Sequence, residues 1–71
     1  MLDPNDYDIS RDEWERTIDQ YIFSERNRKM LKRKLLDGLT YEALAEEFDL
    51  SVQRTKTIIS ESKIRLFRYI N

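Results

Sequence analysis

The chain has 71 residues, no cysteine, no histidine and a net charge of −1. This length allows one small domain. The missing side chains exclude disulfides, thiolate metal sites and any catalysis or metal binding that needs histidine. No apolar run approaches the length of a membrane span or a signal peptide, and we therefore expect a cytoplasmic protein that does not enter a membrane.

Charge is distributed along the chain in blocks of alternating sign. The net charge is −5 over residues 1–23, +5 over residues 24–36, −5 over residues 37–50 and +4 over residues 51–71. Such blocks give a folded domain one basic and one acidic face, so a nucleic-acid partner is compatible with the small net charge. The same pattern also fits a solvated surface with ion pairs between helices.

A single glycine and a single proline leave little room for β-hairpins. The sequence therefore predicts an all-α fold, a small bundle of about four helices. Residues 1–9 are acidic, contain Pro4 and lack a helical period, and we interpret them as a flexible arm. Residues 10–71 then form a single helical domain.

The first predicted helix covers residues 11–22. Ser10 and Glu13 form a capping box ahead of it. Its apolar residues recur at helical spacing and form one stripe: Trp14, Ile18, Tyr21 and Ile22. We expect this stripe to pack into the core, because so short a domain needs the apolar area. A surface for a partner protein is the alternative.

Three further helices are predicted, each after a capping residue: about 25–37 after Ser24, about 41–48 after Thr40 and about 52–70 after Ser51. Gly38 ends the second of them in a left-handed conformation. On the last helix, Ile64 and Phe67 fall outside the main apolar face. They indicate a second contact, either with the first helix or with another copy of the chain, and we favour a homodimer.

A turn of only three residues, Asp49-Leu50-Ser51, joins the third and fourth helices. A short helix, a tight turn and a basic helix together predict a helix-turn-helix at about residues 40–60. Ala45 in the short helix lets the two helices approach closely, and Leu50 plugs the turn into the core.

The first turn of the fourth helix carries Gln53 and Arg54. A recognition helix meets base edges with this part when it enters the major groove of DNA. Glutamine can pair with adenine and arginine with guanine, each through two hydrogen bonds. Surface glutamine and arginine are also common without any partner, which is the alternative interpretation.

From Asn27 to Leu66 the chain resembles region 4 of bacterial RNA polymerase sigma factors. The phrases that carry the resemblance are RKMLKRKLLDGLTYEALAEEF and DLSVQRTKTIISESKIRLF. The residues in register with the family pattern are Leu39, Thr40, Tyr41, Glu42, Leu44, Ala45, Leu50, Ser51, Lys63 and Leu66. The helix-turn-helix of response regulators shares much of this pattern. Two positions differ: Asp49 replaces the usual glycine of the turn, and Thr55 replaces a core valine.

The resemblance implies a sequence-specific, DNA-binding transcriptional regulator with its recognition helix at about 52–62. It assigns DNA contacts to nine residues: Thr40, Ser51, Gln53, Arg54, Lys56, Thr57, Lys32, Arg33 and Lys34. For the last three, it implies a place either beside the DNA backbone or in the region that docks on the polymerase. It also implies double-stranded DNA as the partner and RNA polymerase as a further one. The alternative function is a protein-interaction module that docks on RNA polymerase, or on a sigma or anti-sigma partner, without binding DNA.

An enzymatic function is not predicted. The carboxylate pair Glu46-Glu47 occupies consecutive helix positions, so the two side chains point in different directions. The sequence contains no glycine-rich phosphate loop and no pairing of nucleophile and base. We therefore expect no catalytic residues, no bound metal and no cofactor.

Overall fold

The computed structural model describes residues 10–70, with side chains for residues 10–68. Within this range the chain forms four helices and no strand: α1 (Arg11–Tyr21), α2 (Glu25–Leu35), α3 (Tyr41–Glu47) and α4 (Val52–Ile70). The predicted small all-α bundle is thereby confirmed. The predicted acidic arm, residues 1–9, lies outside the described residues.

The helices begin where the capping residues predict. Each cap accepts a hydrogen bond from the backbone N–H three residues later: Ser10 from Glu13 at 3.2 Å, Ser24 from Asn27 at 3.3 Å, Thr40 from Ala43 at 3.1 Å and Ser51 from Arg54 at 3.0 Å. Each bond satisfies one of the amides that a helix start leaves without an intrahelical partner. The four helix starts are therefore fixed by local chemistry.

The end of α2 is earlier than predicted. The helix stops at Leu35 rather than at about residue 37, and Leu36 is its C-cap. Gly38 has a φ of +74°, the left-handed conformation that the sequence predicts. The chain then turns back, and the Leu39 N–H donates to the Arg33 carbonyl at 3.2 Å.

The hydrophobic core receives side chains from all four helices. Its buried members are Trp14, Ile18, Ile22, Met30, Leu31, Leu44, Ile58, Ile59, Leu66 and Phe67. Trp14 is 1% exposed, and its ring lies 5.4 Å from that of Phe67, centroid to centroid. The burial of Trp14 favours the core interpretation of α1 over a partner-binding surface.

Phe67 makes the second contact that its position off the main apolar face predicts, and it is buried although Ile64 is not. Its side chain is 3% exposed, whereas that of Ile64 is 56% exposed. The reason is that α4 packs against more than one helix along its length, and Trp14 of α1 covers Phe67 near the end. Of the two contacts considered for this side chain, the structure shows the one with α1.

Substitutions at these two positions should have different effects on stability. We expect Phe67→Leu to lower the free energy of unfolding by about 1–2 kcal/mol, because it removes ring contacts from a packed core. Ile64→Ala should change it by less than about 0.5 kcal/mol, because the side chain is mostly in water. Urea unfolding at low micromolar protein, followed by circular dichroism, measures both. Equal effects would contradict the packing of Phe67 on Trp14.

Candidate nucleic-acid interface

The turn between α3 and α4 fixes the direction of the fourth helix. Asp49 has a φ of +55°, so it adopts the left-handed conformation in place of a glycine; aspartate tolerates this region better than most residues. The Leu50 N–H then donates to the Ala45 carbonyl at 2.9 Å. The Leu50 side chain is half-buried and packs against the core, as predicted. The turn is therefore held by a backbone hydrogen bond and by the packing of this side chain.

Ser51 holds the first turn of α4 through two groups. Its hydroxyl accepts from the Arg54 N–H at 3.0 Å. Its carbonyl accepts from both the backbone N–H and the hydroxyl of Thr55, at 3.0 Å and 2.9 Å. Thr55 is buried, and this bond gives its hydroxyl the partner that a buried polar group needs. Three hydrogen bonds therefore hold the start of α4 where the predicted base contacts begin.

The predicted base-contacting residues lie on the exposed side of this capped turn. Gln53, Arg54 and Lys56 are exposed, and Thr57 is half-buried. The Thr57 hydroxyl donates to the Gln53 carbonyl at 3.1 Å, which leaves its oxygen as an acceptor only. Arg54 and Lys56 form no ion pair among residues 10–68. Two cations without a carboxylate partner among these residues thus lie within three positions of Gln53.

Lys32, Arg33 and Lys34, the three basic residues predicted at the DNA backbone, are engaged within the protein itself. Lys32 pairs with Asp19 of α1 at 2.8 Å. Arg33 pairs with Asp37 at 3.1 Å and with Glu47 of α3 at 2.7 Å. These contacts match the alternative interpretation of the charge blocks, ion pairs between helices.

Lys34 is the member of this cluster that approaches α4. Its ammonium group donates to the Leu39 carbonyl at 2.9 Å and lies 4.2 Å from the centre of the Tyr41 ring. The ammonium group of Lys56 lies 5.7 Å from the centre of the same ring. Tyr41 thus brings a cation of α2 and a cation of α4 to the start of α3, close to the exposed cap residue Thr40.

Asp37 and Glu47 are held in their charged forms by neighbouring arginines. Arg11 donates to Asp37 at 2.7 Å, and this bond, with a second one from Arg33, lowers the pKa of the Asp37 carboxyl below its ordinary value. Two bonds from Arg33 lower the pKa of Glu47 in the same way. The carboxylates raise the pKa of Arg33 in return. This network ties α1, α2 and α3 together.

Two features of the surface were missed by the sequence reasoning. Phe23 is 76% exposed, although it follows the apolar stripe of α1. It lies in the link between α1 and α2, so the helical period no longer applies to it. The guanidinium group of Arg65 lies 5.3 Å from the centre of the Phe23 ring.

The other missed feature is the contact of Lys34 and Lys56 with the same Tyr41 ring. The only signal for it in the sequence was a tyrosine between two lysine-rich stretches.

The comparisons with known proteins leave the resemblance to sigma region 4 as a prediction. No protein-family model matches the chain, and neither a curated protein nor a solved structure matches it. Among the described residues, no helix is long and apolar enough to cross a membrane. Side chains able to hold a metal ion form no cluster there either.

The Asp37 network should give stability a defined dependence on pH. A carboxylate whose pKa is lowered by folding stabilises the fold above its ordinary pKa, and this contribution disappears as pH falls through the folded value. We expect Asp37→Asn to be less stable than the wild type at pH 7 and to lose less stability between about pH 4 and pH 2. Urea unfolding at several pH values measures this.

Glu46→Gln provides the matched control, because Glu46 is exposed and forms no ion pair among residues 10–68. Its pH profile should follow that of the wild type. An Asp37→Asn profile parallel to the wild type over the whole acid range would show that the arginine contacts do not stabilise the folded chain.

Proposed function

We propose that the chain binds double-stranded DNA sequence-specifically and regulates transcription, with the first turns of α4 in the major groove. The observation that carries this proposal is the exposed group formed by Gln53, Arg54 and Lys56 at the capped start of α4. Arg54 and Lys56 pair with no carboxylate among residues 10–68. Lys32 and Arg33, by contrast, each form an ion pair with one. Free cations next to a fixed helix start suit a polyanion.

The proposed contacts follow from the chemistry of each side chain. Gln53 and Arg54 read base edges, glutamine on adenine and arginine on guanine. Lys56 contacts phosphate, since a flexible ammonium group carries charge but little directional information. The backbone amides next to Ser51 lie at the positive end of the helix dipole and suit a second phosphate. Thr57 offers only an acceptor oxygen, because its proton is used within the helix.

Glu61 determines how the helix would enter the groove. It is exposed and lies one helical turn beyond Thr57. A carboxylate at that place would be repelled by phosphates if α4 lay flat in the groove. The proposal therefore has α4 enter with its N-terminal end, so that Glu61 stays near the rim.

Lys32, Arg33 and Lys34 of α2 differ in the groups that they contact, and their proposed roles differ accordingly. Lys34 joins Lys56 as a phosphate contact, because both approach Tyr41 beside the α3–α4 unit. Lys32 and Arg33 act mainly as partners of acidic side chains on α1 and α3. Their charges are offset by these carboxylates, which reduces their attraction for phosphate.

RNA polymerase is proposed as a further partner of the DNA-bound chain in the cytoplasm. The alternative function, docking on polymerase or on a sigma or anti-sigma protein without DNA, was suggested by the apolar stripe of α1. Trp14 and Ile18 of that stripe are buried. The exposed ring of Phe23 is the feature that still favours the alternative.

Two alanine substitutions on α4 separate base contacts from phosphate contacts. We expect Arg54→Ala to cost about 1–3 kcal/mol on the preferred duplex, selected from a random library, and much less on random DNA. Lys56→Ala should weaken binding to both duplexes and lower the slope of log affinity against log salt by about one unit. Salt titrations of fluorescent duplexes measure both effects.

Arg16→Ala is the matched control, since Arg16 is an exposed cation of α1 without an ion pair among residues 10–68. It should leave both affinities unchanged. Equal losses on both duplexes for Arg54→Ala would make that residue a phosphate contact. Absence of DNA binding by the wild type, together with binding to RNA polymerase, would favour the alternative function.

A further inference from the structure

A stripe of three residues on the second half of α4 combines one exposed apolar side chain with two opposite charges. Ile64 is 56% exposed. Glu61 precedes it by three residues and Arg68 follows it by four, and both are exposed. Residues at this spacing lie on one face of a helix. We call Glu61, Ile64 and Arg68 the α4 stripe.

The charges of the α4 stripe are not used within the chain. Neither Glu61 nor Arg68 forms an ion pair among residues 10–68, although six other ion pairs occur there. Arg65 lies one turn after Glu61, but its guanidinium group lies over the Phe23 ring and forms no ion pair with Glu61. The stripe and Arg65 line a shallow depression of about 290 Å³. A single exposed isoleucine is ordinary on a protein surface; the two unpaired opposite charges beside it are the feature that a partner of complementary charge would use.

We propose that the α4 stripe is the contact surface of a homodimer in which the fourth helices of two copies run antiparallel. Reversing one helix about Ile64 places Ile64 of each copy against Ile64 of the other. The same operation places Glu61 of each copy opposite Arg68 of the other, because one lies about as far before Ile64 as the other lies after it. A two-fold interface forms both ion pairs at once.

The charge order of the stripe selects a second copy over other partners. A uniformly acidic surface would be repelled by Glu61, and a uniformly basic one by Arg68. The fitting partner presents the opposite order of charges around an apolar centre, and this helix supplies that order when it is reversed. The contact is small compared with the roughly 1,200–2,000 Å² of a stable interface. The dimer is therefore weak, and its subunits separate at low micromolar concentration.

The homodimer is compatible with the proposed DNA contacts but does not depend on them. The paired stripe begins about one helical turn beyond Thr57, so Gln53, Arg54 and Lys56 stay outside it. Because the paired helices run antiparallel, the two helix starts lie at opposite ends of the pair, and each would contact a DNA site of its own.

Sedimentation equilibrium without DNA, over about 5–200 micromolar protein and with charge-reversal variants, tests the dimer. We expect the wild type to shift from the mass of one chain toward that of two. Glu61→Arg and Arg68→Glu should each weaken the dimer at least about tenfold, because each places like charges together twice. The double variant Glu61→Arg/Arg68→Glu should restore an affinity within about threefold of the wild type, because the pairs re-form with reversed polarity.

Arg16→Glu is the control for a change of net charge, since Arg16 is an exposed arginine on α1, and it should leave the dimer unchanged. Circular dichroism verifies that each variant is folded. A wild-type mass of one chain at 200 micromolar would overturn the proposal, and so would a double variant as weak as the single ones. Arg54→Ala should dimerise normally, so loss of DNA binding and loss of the dimer are told apart.

Discussion

The left-handed backbone of Asp49 and the cap at Ser51 determine where α4 begins and which of its residues face outward. Asp49 follows α3, precedes the start of α4 by three residues and sends the chain in a new direction over the half-buried Leu50. Ser51 accepts hydrogen bonds from Arg54 and Thr55 in the first turn of α4, and Gln53 and Arg54 of that turn are exposed. A helix start that is already formed suits a DNA-reading surface, since ordering flexible side chains and backbone on binding costs affinity.

The distribution of partners among the charged residues separates the two basic segments of the chain. On α2, Lys32 and Arg33 join the helices of the bundle through carboxylates. On α4, every arginine and lysine is without an ion pair among residues 10–68. The two basic segments therefore differ physically although their compositions are similar. Lys32 and Arg33 of α2 hold helices together, whereas the cations of α4 pair with no carboxylate of the described residues. Charge blocks in the sequence do not distinguish these roles, because the acidic partners lie on other helices.

Local signals in the sequence predicted most of the fold. Ser10, Ser24, Thr40 and Ser51 marked the helix starts correctly, because capping depends on residues only three positions apart. The position of Phe67 was not predictable in this way. A helical stripe assumes one buried face, whereas α4 is covered by different helices along its length, and Trp14 is more than fifty residues away in sequence. The shared contact of Lys34 and Lys56 on Tyr41 was missed for the same reason, since it depends on how three helices meet.

The proposal that the capped start of α4 contacts DNA can be tested residue by residue with nuclear magnetic resonance. ¹⁵N-labelled protein would be titrated with a duplex selected from a random library, and the backbone amide shifts followed. We expect the largest shifts on Ser51, Gln53, Arg54 and Lys56, with little change in α1. Shifts concentrated on α1 and Phe23, or no shifts at all with any duplex, would contradict it.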